Sequence, residues 1–221
     1  MKRDKEFVYA EIKSKILNFN LKPGDNLNAN ALSKEYGISN MPIRDVFIRL
    51  SYDKLVDIYP QSGTFVSKID LSYVNETAFM RYILEKSMFS SLSVEESSLD
   101  FSDLDRNIID QQKALDKKEF DHFLFFDNQF HCLIFSLANH RQTWDLIQNI
   151  KFNYNRMRFL NMSDKNVLDK IFSEHLTLLN SLKNREFDKI NNILLEHLIF
   201  SEEEINLSLK NFPEYFTSNT I

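Results

Sequence analysis

The sequence is poor in the residues that interrupt regular secondary structure. Of its 221 residues only 3 are glycine and 4 are proline, and all of them except Pro213 precede residue 64. Helix interiors tolerate neither residue well, so a long segment without them favours long helices joined by short links. We therefore predict tight turns near the N-terminus and a mainly helical chain after them.

Cysteine is nearly absent, and long apolar runs are missing. The single Cys132 cannot form an internal disulfide, which fits a reducing cytoplasm. Residues 1–6 are charged and lack the apolar core of a secretory signal. The most apolar stretch, residues 123–137, is interrupted by Asp127 and His131, so we expect no membrane span. The sequence thus indicates a cytoplasmic protein with no membrane partner.

The charges are distributed unevenly along the chain. The net charge is −5, yet residues 1–70 hold 11 basic and 9 acidic side chains, whereas the remainder holds 16 and 23. Nucleic acid repels an acidic surface, so this asymmetry places any DNA contact in the N-terminal part. The remainder is a poor candidate for nucleic-acid binding.

Residues 28–52 have the pattern of a helix-turn-helix. A short helix over 29–36 ends at Gly37, which can adopt the positive φ of a tight helix exit. Ser39 can cap a second helix over 40–52, in whose first turn Pro42 is tolerated. Two short helices joined by such a turn form a helix-turn-helix. The second helix has an inward apolar face made of Ile43, Val46, Phe47 and Leu50.

Two short strands follow the second helix. Residues 56–59 and 64–67 alternate in polarity, and Pro60 to Gly63 form the turn between them, so the whole is a winged helix. An apolar stripe predicts a preceding helix over 5–19. We assign the DNA contact to residues on the outward face of the second helix, at its start and at the wing tip: Ser39, Asn40, Met41, Arg44, Arg49 and Gly63.

Residues 7–69 resemble the DNA-binding domain of the GntR family of bacterial transcription regulators. The matching residues are Pro23-Gly24-Asp25, Leu32-Ser33, Gly37-Ile38-Ser39, Pro42-Ile43-Arg44-Asp45, Leu50, Leu55-Val56, Pro60 and Gly63-Thr64-Phe65-Val66. Three positions depart from the family's pattern. Arg is usual at Asn40, Glu or Arg is frequent at Asn30, and Arg is frequent at Ser62. The DNA contact set is therefore less basic than the family's.

The rest of the chain is predicted to be all helical. Apolar periodicity indicates helices over 72–92, 101–116, 118–139, 141–161, 165–184 and 186–210. The predicted fold is therefore mainly α, with a winged helix-turn-helix domain over 1–69 and an all-α helical bundle over 70–221. We expect the bundle to bind the effector and to dimerise.

Four polar residues interrupt the apolar faces of these helices. Asp127 and His131 lie four residues apart, so their side chains project together. His175 and His197 lie on the apolar faces of two later helices. A single buried histidine is usually hydrogen-bonded to a carbonyl, but four such residues together are better explained by a shared metal ion. Imidazole-rich ligation suits transition metals such as Zn²⁺ or Ni²⁺.

Residues 72–210 resemble the FCD domain, the helical effector domain of the FadR-type branch of the GntR family. Arg81-Tyr-Ile-Leu-Glu85, Asp127-x-x-x-His131, Glu174-His175 and Glu196-His197-Leu198 match its motifs. The resemblance implies a divalent metal held by Asp127, His131, His175 and His197, and a small carboxylate effector beside it. Arg81 would bind that carboxylate; the alternative is a structural pair with Glu85.

The sequence leads to one main hypothesis and two alternatives. The main hypothesis is a homodimeric, ligand-responsive repressor that binds a palindromic operator in double-stranded DNA. The first alternative is an all-α metalloenzyme that uses an open His₃Asp site for hydrolysis. We see no general base near the ligands, so we assign no catalytic residue and predict that the protein is not an enzyme. The second alternative keeps the regulator but makes the metal purely structural.

Overall fold

The structure is a computed structural model that describes residues 4–94, 99–161 and 165–218. Its N-terminal elements are α1 Lys5–Leu17, α2 Ala29–Tyr36, α3 Asn40–Tyr52, β1 Val56–Tyr59 and β2 Gly63–Val66. The helices that follow are α4 Leu71–Val94, α5 Ser102–Asp116, α6 Phe120–Leu137, α7 Arg141–Gln148, α8 Phe152–Asn161, α9 Lys165–Lys183, α10 Phe187–Leu198 and α11 Glu202–Asn211. The predicted fold class, a winged helix-turn-helix followed by an all-helical region, is confirmed.

The helix-turn-helix forms at the predicted positions, but its N-terminal caps differ from the prediction. The Asn28 side chain accepts hydrogen bonds from the backbone N–H groups of Asn30 and Ala31, which fixes the start of α2. Gly37 ends α2 in the left-handed conformation, with φ at 70°. Ser39 occupies the N-cap position of α3, but its side chain makes no cap hydrogen bond.

The wing is an antiparallel pair of β1 and β2 in which Val56 lies opposite Val66 and Tyr59 opposite Gly63. The segment before α2 adds to it, because Leu27 N–H donates to the Thr64 carbonyl at 2.8 Å. Gly63 has φ at +127°, and a Cβ there would lie 3.1 Å from Asn26 Nδ2. The wing turn therefore requires glycine at this position.

Two of the predicted helices are each divided in two, which corrects the helices expected over 141–161 and 186–210. The first divides between Gln148 and Phe152, and the second between Leu198 and Glu202. The second division has a local cause. Ser201 Oγ accepts from Glu204 N–H at 3.2 Å while the Glu204 carboxylate accepts from Ser201 N–H at 2.7 Å. This reciprocal arrangement is a capping box, which starts a new helix.

The chain divides into two compact units that are not continuous in sequence. Unit 1 contains residues 1–74, 149–160 and 205–221, and unit 2 contains 75–148 and 161–204. The domain boundary between residues 69 and 70 stays a prediction, but unit 1 includes two segments from beyond it. Within the described residues, no helix combines the length and the apolar character needed to cross a membrane.

Unit 1 has a core that joins α1, α3 and the wing to α8. Phe152, the first residue of α8, is buried among residues such as Ile12, Leu50 and Val56. The ammonium of Lys13 lies 3.6 Å from the centroid of the Phe152 ring. This is close enough for a cation–π interaction. Helix α8 is therefore part of the winged-helix core, although it follows the wing by more than eighty residues in the sequence.

Arg156 connects α8 to the end of the wing through hydrogen bonds. Its Nη2 donates to the Ser67 carbonyl at 2.7 Å, and its Nη1 donates to Asn153 Oδ1 at 3.1 Å. Burial lowers the pKa of Arg156 to about 10, so the guanidinium stays charged at neutral pH. The segment after the wing also pairs with the C-terminal part of unit 1. Ile69 N–H donates to the Tyr215 carbonyl at 2.8 Å, and Ile69 forms a parallel β-bridge with Phe216.

Unit 2 is a helical bundle around a separate apolar core. Its buried residues include Phe89 from α4, Phe130 and Phe135 from α6, Trp144 from α7 and Leu194 from α10. Tyr82 of α4 donates a hydrogen bond to Asn191 Oδ1 of α10 at 2.8 Å. The four residues predicted to bind metal all lie in this unit.

Candidate metal centre and nucleic-acid interface

The four predicted metal ligands converge inside unit 2. Asp127 and His131 project from successive turns of α6, His175 from α9 and His197 from α10. One ligand atom of each lies within 4.8 Å of the others, and all four side chains are almost fully shielded from solvent. These residues form a cluster that could hold a metal ion.

The distances within the cluster fit coordination of a single ion. The three Nε2 atoms form a nearly equilateral triangle, with separations of 3.1 Å for His131–His197, 3.2 Å for His175–His197 and 3.3 Å for His131–His175. Two nitrogens bonded to one ion at about 2.0–2.1 Å lie about 2.8–3.4 Å apart for bond angles near 90–110°. Asp127 Oδ1 lies 3.6 Å from His175 Nε2 and supplies an anionic oxygen.

The other ring nitrogen of each histidine lies against an oxygen. The pairs are His131 Nδ1 with Glu85 Oε2 at 2.6 Å, His175 Nδ1 with Gln111 Oε1 at 2.8 Å, and His197 Nδ1 with Glu174 Oε2 at 2.8 Å. At His175 and His197 the oxygen can accept the Nδ1 proton and leave Nε2 with its lone pair, whereas Glu85 lies within ion-pair distance of His131 Nδ1. Such partners orient metal-binding histidines and fix their tautomers.

The tautomer of His175 follows from a chain of hydrogen bonds that starts at a backbone carbonyl. The Phe126 carbonyl can only accept, so Asn107 presents its NH₂ group to it, at 3.0 Å. Asn107 Oδ1 therefore accepts from Gln111 Nε2, at 2.7 Å. Gln111 Oε1 is left to face His175, so Nδ1 of His175 must donate. Its Nε2 lone pair points at the cluster.

Electrostatics favours a neutral imidazole at His131. Burial, followed by the positive charge of Arg81, holds the pKa of His131 well below its usual value. Burial also raises the pKa of Glu174. Three neutral imidazoles that aim lone pairs at one point repel each other unless a cation lies between them. The donor set therefore fits a divalent transition metal.

Gln111 and Glu174 were not identified from the sequence as Nδ1 partners of the histidines, nor was Asn107, which bonds to Gln111. Glu174 has a visible signal, since it precedes His175 directly. Asn107 and Gln111 have a weaker one: they are polar residues four apart on the buried face of α5. Glu85 was predicted only as a partner of Arg81.

Arg81 is the predicted effector-binding residue, and it is buried in unit 2. Its Nε donates to Glu85 Oε1 at 2.9 Å, and its Nη2 lies 2.7 Å from the same oxygen. The Glu85 carboxylate also lies 2.6 Å from His131 Nδ1, so one carboxylate links Arg81 to the cluster of predicted metal ligands. The guanidinium carbon lies 5.9 Å from the Trp144 ring centroid. The pairing with Glu85 is present; the effector role of Arg81 stays a prediction.

Four of the six predicted DNA contacts are exposed at the start of α3 or directly before it. Ser39, Asn40, Met41 and Arg44 all lie on the surface at the N-terminal end of the helix. Among the residues that the structure describes, Arg44 makes no ion pair. It lines a cleft of about 610 Å³ between α3 and the wing, together with neutral polar side chains of Asn26, Asn28, Asn30, Gln61 and Ser62.

The other two predicted contacts have different surroundings. Arg49 forms an ion pair with Glu6 at 2.6 Å and stacks its guanidinium 3.6 Å from the Tyr9 ring centroid. Its side chain is therefore engaged with α1. Gly63 is exposed at the start of β2 and lines the same cleft as Arg44. The DNA roles of all six residues stay predictions.

Family comparison assigns both parts of the chain. Residues 4–66 match the family described as "Bacterial regulatory proteins, gntR family". Residues 76–200, more than half of the chain, match the FCD domain. The chain belongs to the GntR family. This GntR protein is 25% identical over 210 residues to the HTH-type transcriptional repressor RspR of Escherichia coli strain K12, covering 95% of this chain and 92% of that protein. It is 24% identical over 190 residues to the gluconate operon transcriptional repressor of Bacillus licheniformis, covering 82% and 76%.

Two solved structures share the fold of this chain. Escherichia coli McbR/YncC superposes with a TM-score of 0.71 at 18% identity, covering 94% of this GntR protein and 98% of that chain. A GntR transcriptional regulator from Rhodococcus sp. RHA1 gives a TM-score of 0.73 at 16% identity, covering 93% and 97%. The chain is thus a bacterial DNA-binding transcription regulator. The alternative of a metalloenzyme finds no support, because the matching family and the named relatives are transcription regulators and not enzymes.

Proposed function

We propose that this regulator is a metal-dependent repressor that binds a palindromic operator as a homodimer and is released by a small carboxylate. The observation that supports metal dependence is the convergence of three imidazoles beside the Asp127 carboxylate. Zn²⁺ or Ni²⁺ suits this donor set. When bound, the ion supplies positive charge to the cluster and a coordination position for a carboxylate oxygen.

Two further observations support the homodimer and the repressor role. Phe79 and Ile83 of α4 lie four residues apart, and each is about half exposed, at 57% and 46%. Large apolar side chains on one helix face suit a contact between two copies. Two relatives are named repressors, and one of them is named for the gluconate operon, whose substrate is a carboxylate.

The test uses the full-length protein and DNA that the protein selects itself. A library of randomised duplexes is enriched on the metal-loaded protein, and the enriched duplex serves as the operator. We expect a sequence with two-fold symmetry, because a symmetric dimer reads two equivalent half-sites. A panel of small carboxylates is then added, and the fraction of bound operator is measured. An enriched site without symmetry would contradict the dimeric reading.

Arg81 gives a prediction about the carboxylate. Arg81→Lys keeps a cation beside Glu85 but removes the planar fork that binds carboxylates through two hydrogen bonds. We expect unchanged metal content and operator affinity, and a carboxylate response that is weaker by at least about 10-fold. Trp144, the only tryptophan, lies 5.9 Å from the Arg81 guanidinium, so its fluorescence reports carboxylate binding directly. Release of the variant at the wild-type carboxylate concentration would contradict this role.

A purely structural metal is the second candidate function for the site. It is favoured by the pairing of Arg81 with Glu85 and by the burial of the ligands. In that case no carboxylate changes operator affinity and Arg81→Lys has no effect, whereas metal removal still lowers the melting temperature. The titration of operator release therefore separates the two candidates.

Arg44 gives a prediction about DNA. Its side chain is exposed near the start of α3, which we call the recognition helix, where it can reach a base or a phosphate. We expect Arg44→Ala to weaken operator binding by about 1–3 kcal/mol at fixed salt, without a change in melting temperature. Lys113→Ala, which removes an exposed cation from α5, is the matched control and should bind normally. Equal affinity of wild type and Arg44→Ala would contradict the assignment.

A further inference from the structure

An amide pair lies at the start of the recognition helix. Asn40, the first residue of α3, donates through Nδ2 to Asn30 Oδ1 of α2 at 2.7 Å. Both side chains are exposed. A hydrogen bond between exposed neutral groups adds little to stability, because water offers the same partners. The bond does hold the Asn40 amide in one orientation on the surface predicted to meet DNA.

The bond to Asn30 decides which hydrogen-bonding groups Asn40 can offer to a base. One N–H of the Asn40 amide is used by Asn30, so one N–H donor and the Oδ1 acceptor remain. In the major groove adenine presents an acceptor at N7 and a donor at N6, whereas guanine presents two acceptors. The remaining groups of Asn40 match adenine. They do not match guanine, which requires two donors.

The neighbouring residues extend the same preference. Met41 follows Asn40 and is 74% exposed, so an apolar group lies next to the amide. Thymine offers a methyl group in the major groove, and side chains such as Met can contact it. Arg44, one turn further along α3, is the nearest cation on this face. The first turn of α3 thus combines an amide and an apolar side chain and has no cation.

We propose that Asn40 reads the adenine of an A·T pair in each half-site, that Met41 contacts the paired thymine or its neighbour, and that Asn30 is a positioning residue that holds the Asn40 amide. This inference rests on the proposed operator binding and adds the base that this helix turn selects. Substitution of Asn40 by arginine supplies two donors in a fork and converts the position to one that selects guanine.

The test compares the sequences that three full-length proteins enrich from the randomised duplex library. For wild type we expect an A·T pair at one position of each half-site. For Asn40→Arg we expect that position to change to G·C while the other positions stay the same. Asn30→Ala should keep A·T there with a preference weaker by about 10-fold, because the amide loses its support.

A matched variant controls for charge. Asn20→Arg adds the same cation at another exposed asparagine of unit 1, so it should strengthen binding to all duplexes without changing the enriched sequence. Identical sequences enriched by wild type and Asn40→Arg would overturn the inference while leaving operator binding intact. A wild-type preference for G·C at the position that changes would overturn it as well. Failure of wild type to enrich any sequence would overturn the proposed function itself.

Discussion

Replacement of His175 by alanine is expected to remove the bound metal and to lower the melting temperature by about 10 °C. His175 Nε2 lies 3.2–3.3 Å from the other two Nε2 atoms and 3.6 Å from Asp127 Oδ1, so its loss breaks the site at its centre. The side-chain oxygen of Gln111, which is buried in unit 2, also loses its hydrogen-bond donor. Elemental analysis and calorimetry of the purified full-length protein measure both effects.

Two kinds of control isolate the metal from general damage. His122→Ala and His140→Ala remove exposed imidazoles, and both should retain about one ion per chain. Gln111→Leu keeps all four ligands but removes the oxygen that faces His175 Nδ1, together with the hydrogen bond to Asn107, so metal affinity should fall by about 10–100-fold. The contrary result is a wild-type protein that contains no metal after purification and gains no stability from added Zn²⁺ or Ni²⁺. It would show that the four residues form a hydrogen-bonded core and not a metal site.

Replacement of Phe152 by alanine is expected to destabilise unit 1 by about 3–5 kcal/mol. The ring is buried in the winged-helix core and interacts with Lys13, so the change leaves a cavity and removes a cation–π contact. Phe152 follows the wing by more than eighty residues, so its position in the sequence alone gives no reason to expect this effect on the DNA-binding helices. The expectation comes from the packing of Phe152 in the structure. Denaturant unfolding and amide hydrogen exchange in α1 measure the loss.

Phe120→Ala is the matched control for this change. Its ring is 48% exposed at the start of α6, so its truncation should alter stability by less than about 0.5 kcal/mol. Trp144 fluorescence reports on unit 2 and separates damage there from damage in unit 1. A Phe152→Ala protein with normal protection of the α1 amides would show that α8 contributes little to the winged-helix core.

The winged helix and the cluster of one aspartate and three histidines could be predicted from the sequence because their signals are local or periodic. Gly37 and Gly63 mark backbone positions that demand positive φ, and the spacing of Asp127 and His131 shows that they share a helix face. The capping box at Ser201 was also readable, since Ser-x-x-Glu followed by an apolar residue starts a helix. It was missed in the sequence because apolar residues recur at helical spacing on both sides of the break between α10 and α11.

The remaining features depend on tertiary contacts that periodicity does not encode. An apolar face over 141–161 is visible in the sequence, but it does not show that Trp144 packs in one core and Phe152 in another. Similarly, a buried Gln111 can pair with many groups. Its contact with His175 is set by how α5 and α9 pack together. Arg49 looked like a free cation on the recognition helix until Glu6 and Tyr9 were placed beside it.

The discontinuity of unit 1 limits how its DNA specificity can be transplanted. A chimera that joins residues 1–70 to a foreign sensor keeps α1–α3 and the wing but leaves Phe152, Arg156 and Phe216 behind. The apolar surface under Phe152 would then meet water, and the Ser67 carbonyl would lose its guanidinium donor. To transfer operator preference from one relative to another, a chimera therefore has to include all three segments of unit 1. The alternative is to change only surface residues, such as those at the start of α3.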